Sequence, residues 1–154
     1  MAKFCFVLLL AAAFTGCAES DNAINAPQPA LCTTPTDTAP PLGSPFNMRF
    51  GGQSTIVDTD LTLKFTSIAD GRCPGGILCL IAGQADVVIR VFDSQHIPAD
   101  LSLTTLWPAS QGSYHEFDIH LLQVTPYPED GRPPTPEAGY CVQLIVTRAL
   151  GGAR

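Results

Sequence analysis

Short runs of alternating apolar and polar residues, cut by Pro and Gly, confine this chain to strands. In DLTLKFTSIA, Leu61, Leu63 and Phe65 fall on one side and Thr62, Lys64 and Thr66 on the other. QADVVIRVFD brings Ala85, Val87, Ile89 and Val91 together, and LSLTTLW sets Leu101 and Leu103 against Ser102 and Thr104. YHEFDIHLLQV sets Phe117, Ile119 and Leu121 against Glu116, Asp118 and His120, and YCVQLIVTR gives Val142, Leu144 and Val146. A strand turns successive side chains to opposite faces, so each run buries one face and wets the other. Two shorter strands are expected near residues 46–50 and 54–57. With 14 Pro and 13 Gly in 154 residues, long helices find little room. About seven strands in roughly 105 residues predict an all-β domain over 45–150, a small antiparallel β-sandwich or barrel.

The first residues follow another rule. Lys3 precedes an apolar run over residues 4–14. That run is too short for a membrane-spanning helix, which needs roughly 20 residues, and has the length of a signal-peptide core. Thr15, Gly16 and Cys17 follow, and the chain then turns polar with ESDN. The stretch FTGC resembles the lipobox of bacterial lipoproteins, with Phe14 where an aliphatic residue is usual. The resemblance implies removal of residues 1–16, acylation of Cys17 (diacylglycerol, palmitate) and anchoring to a membrane of the cell envelope. Ala18 in place of Asp favours the outer membrane if the cell is Gram-negative. Ordinary cleavage after Ala18, with Gly16 at position −3, would instead give a secreted protein. Residues 18–44 show no apolar periodicity and repeat Pro, so 17–44 reads as a lipidated Cys followed by a disordered, Pro-rich tether.

Export changes the meaning of the six cysteines. Cys5 leaves with the signal segment and Cys17 is taken by lipid, which leaves Cys32, Cys73, Cys79 and Cys141. An even number in an exported chain predicts two disulfides. Three pairings are open. Cys73 and Cys79 enclose PGGIL, a turn that brings their Cα atoms within bridging range, so Cys73–Cys79 is favoured, with Cys32–Cys141 left over. The chain-entropy argument assigns about 2.4 kcal/mol to the small loop and about 4.8 kcal/mol to the large one.

Candidate sites are few. HEFDIH invites comparison with a zinc-protease motif, but the His spacing is one residue too long. Read as a strand, the segment puts His115 and His120 on opposite faces and leaves Glu116, Asp118 and His120 on one face as weak metal ligands. The same three residues equally suit a solvated strand face. RCPGGILC is not a C-x-x-C redox pair. It reads either as a plain staple between strands or as a rigid partner loop carrying Arg72, Pro74, Gly75 and Gly76, with Arg72 projecting as in inhibitor loops. Arg72 is otherwise expected to pair with Asp70 or Asp86. Asp58, Asp60 and Asp70 flank turns, where calcium binding and simple turn chemistry predict the same residues. EDGRPPTPEAG is a long loop before the last strand, a common place for partners. No nucleophile with a credible base and no phosphate loop is present in the sequence, and no cofactor is expected. A net charge of −6 without a basic run disfavours nucleic acid.

DGRCPGGILCLIAGQADV also resembles a set of mostly uncharacterised bacterial exported proteins and putative lipoproteins that share D-x-R-C-P-x4-C-x-W-x-G-x-A. Asp70, Arg72, Cys73, Pro74, Cys79, Gly83 and Ala85 match, and Ile81 stands where Trp is usual. IHLLQVTPYP and YCVQLIVTR fit the same set. The resemblance implies a β-rich envelope domain and carries no activity with it. The expectation is a lipid-anchored envelope protein, a non-enzymatic binding or structural module with an envelope or other extracellular partner. A secreted inhibitor-like or metal-binding β module is the alternative, and an enzyme of unknown class comes third.

Overall fold

A computed structural model describes Cys32, residues 39–131 and residues 135–149. The expected signal segment 1–16, Cys17 and most of the expected tether lie outside the described residues. The chain forms two four-stranded antiparallel sheets, packed as an open sandwich. The strands are β1 (Phe46–Arg49), β2 (Gln53–Thr55), β3 (Thr62–Asp70), β4 (Ala85–Phe92), β5 (Ala99–Thr104), β6 (Gln111–Tyr114), β7 (Phe117–Thr125) and β8 (Cys141–Arg148). Their spatial orders are β1-β8-β7-β6 and β2-β3-β4-β5. A 3-10 turn, Glu137–Gly139, precedes β8.

The expected faces close on each other. Leu61, Leu63, Phe65, Ala85, Val87, Ile89, Val91, Leu103, Ile119, Val142, Leu144 and Val146 are all fully buried between the sheets. Two bulges reset the alternation. One lies between Phe65 and Ser67 and the other between Leu121 and Gln123. Each inserts a residue that has no opposite number and so shifts the later side chains to the other face. Ile68 and Val124 thereby join the core, and Leu122 is pushed out to solvent.

Among the described residues there are eight strands rather than seven, and the extra one is β6. The expected strand through YHEFDIH is instead a tight hairpin. Tyr114 ends β6, His115 and Glu116 form the turn, and Phe117 opens β7. His115 takes a left-handed φ of 52° there, a conformation that non-Gly residues reach only in turns. The sequence hides β6 because Gly112 reads as a breaker. In the fold a side chain there would press on the neighbouring edge: a Cβ would lie 3.2 Å from Leu103 Cδ2.

Both expected disulfides are present, Cys32–Cys141 and Cys73–Cys79. The first ties Cys32 to the start of β8, where the Arg49 side chain also donates two hydrogen bonds to the Cys32 carbonyl.

Candidate functional site

The two ends of the sandwich carry different chemistry. At one end lie the β3–β4 connection (71–84), the β5–β6 connection (105–110) and the β7–β8 connection (126–140). At the other lie residues 56–61, residues 93–98 and the β6–β7 turn.

The first end is held from inside by a buried ion pair. The β3 bulge points Asp70 inward, and its carboxylate accepts from Arg72 Nε at 2.8 Å, Arg72 Nη2 at 2.7 Å and the Arg72 backbone N–H at 3.1 Å. The Tyr140 hydroxyl donates to the same carboxylate at 2.9 Å. Arg72 spends its remaining donors on the Val124 carbonyl (2.8 Å) and the Pro126 carbonyl (2.6 Å), and its guanidinium lies over the Tyr127 ring. Asp70 ends β3 and Arg72 opens the connection after it, whereas Val124 belongs to the other sheet and Tyr140 to its flank. The clamp therefore joins the sheets with every polar group matched, the condition under which a buried pair is tolerated. Burial pushes the Asp70 carboxyl up, but the hydrogen bonds from Arg72 and Tyr140 outweigh it and hold the group below the usual carboxylate range. Burial, reinforced by the Asp70 carboxylate, pushes the Tyr140 hydroxyl up.

Arg72 is thus not a projecting group. Only 7% of its side chain is exposed, because a guanidinium with five donors finds a carboxylate and two carbonyls inside. Its partner is Asp70; Asp86 instead accepts from Gln84. The same end explains Gly83. A Cβ there would lie 1.7 Å from the Gly71 carbonyl oxygen, so only glycine lets the two legs of the loop meet. The residues of the D-x-R-C-P and G-x-A pattern therefore build and brace this loop.

What projects is apolar. The Cys73–Cys79 loop is bound to the β7–β8 connection by Gly75 N–H to the Pro128 carbonyl (2.9 Å) and Asp130 N–H to the Gly75 carbonyl (3.2 Å). From this braced loop Leu78, Leu80 and Ile81 stand almost wholly in solvent, with Ile77 partly exposed. Pro74, Gly75 and Gly76 shape the loop, and Gly76 takes a positive φ. The β5–β6 connection starts beside the far leg of the β3–β4 connection, with Thr105 N–H on the carbonyl of Ala85 at the start of β4, and exposes Leu106 and Trp107. No charged residue occurs in 73–85 or in 101–114.

The other end is a polar groove of about 200 Å³. Its centre is a pair of stacked imidazoles, His96 and His115, with ring centroids 3.6 Å apart; Tyr114 meets His115 edge-on at 4.6 Å. Asp93 positions His96. One carboxylate oxygen accepts the backbone N–H groups of Gln95 and His96, and the other lies 2.8 Å from His96 Nδ1. A carboxylate can only accept in such a contact, so it keeps a proton on Nδ1. Burial pushes the Asp93 carboxyl up, and the His96 side chain with these N–H groups brings it below the usual range. Asp60 accepts from the Ser94 hydroxyl and N–H, which lower its carboxyl likewise.

The weak metal trio does not assemble. Glu116 sits in the turn and pairs with Arg148 at 3.4 Å, whereas Asp118 accepts from the Ser113 hydroxyl at 2.6 Å across the hairpin. His120 stands opposite Gln111 on β6. Among the described residues no group of three or more His, Cys, Asp and Glu side chains could hold a metal ion. Asp58 and Asp60 border the groove, while Asp70 lies at the far end of β3, so the three turn carboxylates do not converge either. The His96–His115 stack is the feature that sequence reasoning missed. Its only local signal is DSQH, where Asp followed by a polar stretch marks a side-chain-capped turn. Comparison with protein-family models, curated proteins and solved structures finds no match to this chain.

Proposed function

We propose that the protein is a lipid-anchored component of a bacterial cell envelope and acts there as a non-enzymatic binding module. The observation that carries the reading is the state of the cysteines. All four in the described residues are paired, as an oxidising extracytoplasmic compartment allows. Cys17 remains for the lipid its flanking residues suggest. The sandwich is then a rigid body on a short leash. About 15 residues separate Cys17 from Cys32, a reach of about 45 Å at ~3.1 Å per residue. The exposed loops at its two ends are the surfaces open to an envelope partner. Palmitate labelling in cells tests the reading. The wild-type chain is expected to take label and enter the detergent phase, and Cys17→Ala to do neither. An unlabelled wild-type chain whose mature N-terminus is Glu19 contradicts the anchor.

The inhibitor-like alternative keeps one favourable observation, a disulfide-closed loop with Leu78 at its exposed tip. With Arg72 internal, the loop would offer a large aliphatic residue, so proteases that prefer such residues are the ones to assay. Unchanged activity of those proteases at saturating domain would remove this reading.

A further inference from the structure

We propose that the apolar end of the sandwich is a membrane-contact surface, with Leu78, Leu80, Ile81 and Trp107 entering the interface of the bilayer that holds the anchor. The inference deepens the lipid-anchor reading of Cys17 and rests on it for its geometry. Three observations carry it. The Cys32–Cys141 disulfide fixes Cys32 at this end: Cys141 lies opposite Thr125 and next to Tyr140 of the clamp. A chain that leads to a lipid at Cys17 therefore leaves the sandwich from the apolar end, the end nearer its attachment point, and not from the polar groove. Secondly, the exposed groups suit a bilayer interface. They are three aliphatic side chains almost fully in solvent and a Trp 81% exposed, on segments without charge, and Trp is favoured at the headgroup level. Thirdly, the loop is already ordered by a disulfide, two backbone hydrogen bonds to the β7–β8 connection and the buried clamp, so insertion costs little further entropy. The attraction is apolar. Glu129, Asp130 and Glu137 lie in the adjoining connection, and they exclude anionic headgroups as its source.

Trp107, the single Trp of the chain, reports on the surface directly. The lipidated protein is placed in phosphatidylethanolamine–phosphatidylcholine vesicles with brominated acyl chains, and the Cys17→Ser chain is mixed with the same vesicles. Trp107 emission is expected to shift to the blue and to be quenched in the anchored protein. Leu78→Asp with Leu80→Asp should abolish the quenching while the lipid keeps the protein on the vesicle. For the Cys17→Ser chain each Asp substitution should weaken partitioning about tenfold or more. Unshifted, unquenched emission from a palmitate-labelled, vesicle-bound protein overturns the inference and leaves the anchor standing. Quenching of the Cys17→Ser chain on the vesicles, together with no palmitate labelling of the wild type in cells, would sustain the surface and remove the anchor. A blue shift that appears without vesicles and grows with protein concentration would assign the surface to a second copy and overturn the proposal.

Discussion

The two ends of this sandwich solve the problem of burying polar groups in opposite ways. At the apolar end the charges turn inward. Asp70 and Arg72 satisfy each other, two carbonyls and a Tyr hydroxyl, and the outside is left to Leu78, Leu80, Ile81 and Trp107. At the polar end the charges and imidazoles face the groove, and no disulfide among the described residues braces it. An interior clamp makes an apolar exterior affordable in structural terms: the loop keeps its shape without needing its own side chains as a core. Where that clamp is missing, as around His96 and His115, short hydrogen-bonded turns do the holding.

The largest expected effect breaks this contrast at its centre. Arg72→Ala leaves the Asp70 carboxylate buried without its partner and should cost about 3–5 kcal/mol in urea unfolding. Asp93→Ala at the polar end should cost clearly less, because its partners are backbone N–H groups and an imidazole near solvent. Equal losses would mean that the ends are held alike.

Next comes the covalent bracing. Replacing both Cys32 and Cys141 by Ser should cost about 2–5 kcal/mol, and the small loop about 2.4 kcal/mol by the chain-entropy argument. Peptide mapping of the unreduced protein checks the pairing beforehand. A peptide joining Cys73 to Cys141 would contradict it.

The acid limb sharpens the comparison. The folded Asp70 carboxyl titrates below its unfolded value of ~3.9. Its stabilisation is therefore complete above that pH and is lost as the pH falls through the folded value. Asp93 and Asp60 are lowered as well. Asp70→Asn should flatten the fall in stability below pH ~4 more than Asp93→Asn does. Indistinguishable acid profiles for the two variants would dissolve the difference.

The smallest effect is expected where exposure is greatest. Leu78→Ser and Leu80→Ser should leave the unfolding midpoint unchanged, since neither side chain loses contact with water on folding. A measurable loss in either variant would show that these residues pack against the domain.

The core was legible because its signal is local. Ala85, Val87, Ile89 and Val91 alternate without interruption and are all fully buried. The disulfides were legible because PGGIL is too short and flexible to leave Cys73 and Cys79 apart. The bulges were not, since a single inserted residue such as Thr66 looks like any other Thr until its partner strand is known. The inward turn of Asp70 follows from that bulge, so the choice between Asp70 and Asp86 for Arg72 could not be made from spacing. β6 was hidden by Gly112, and the His96–His115 stack by distance along the chain: periodicity describes strands and says nothing of which loop tips meet.

Hydroxyl-radical footprinting of the protein with the proposed lipid at Cys17, in detergent solution and on vesicles, reads both ends at once. The expected result is severalfold protection of Leu78, Leu80, Ile81 and Trp107 on vesicles, with His96 and His115 oxidised as before. Protection of the two histidines, or no difference between the ends, would contradict an account in which the apolar end faces the membrane and the polar groove faces away.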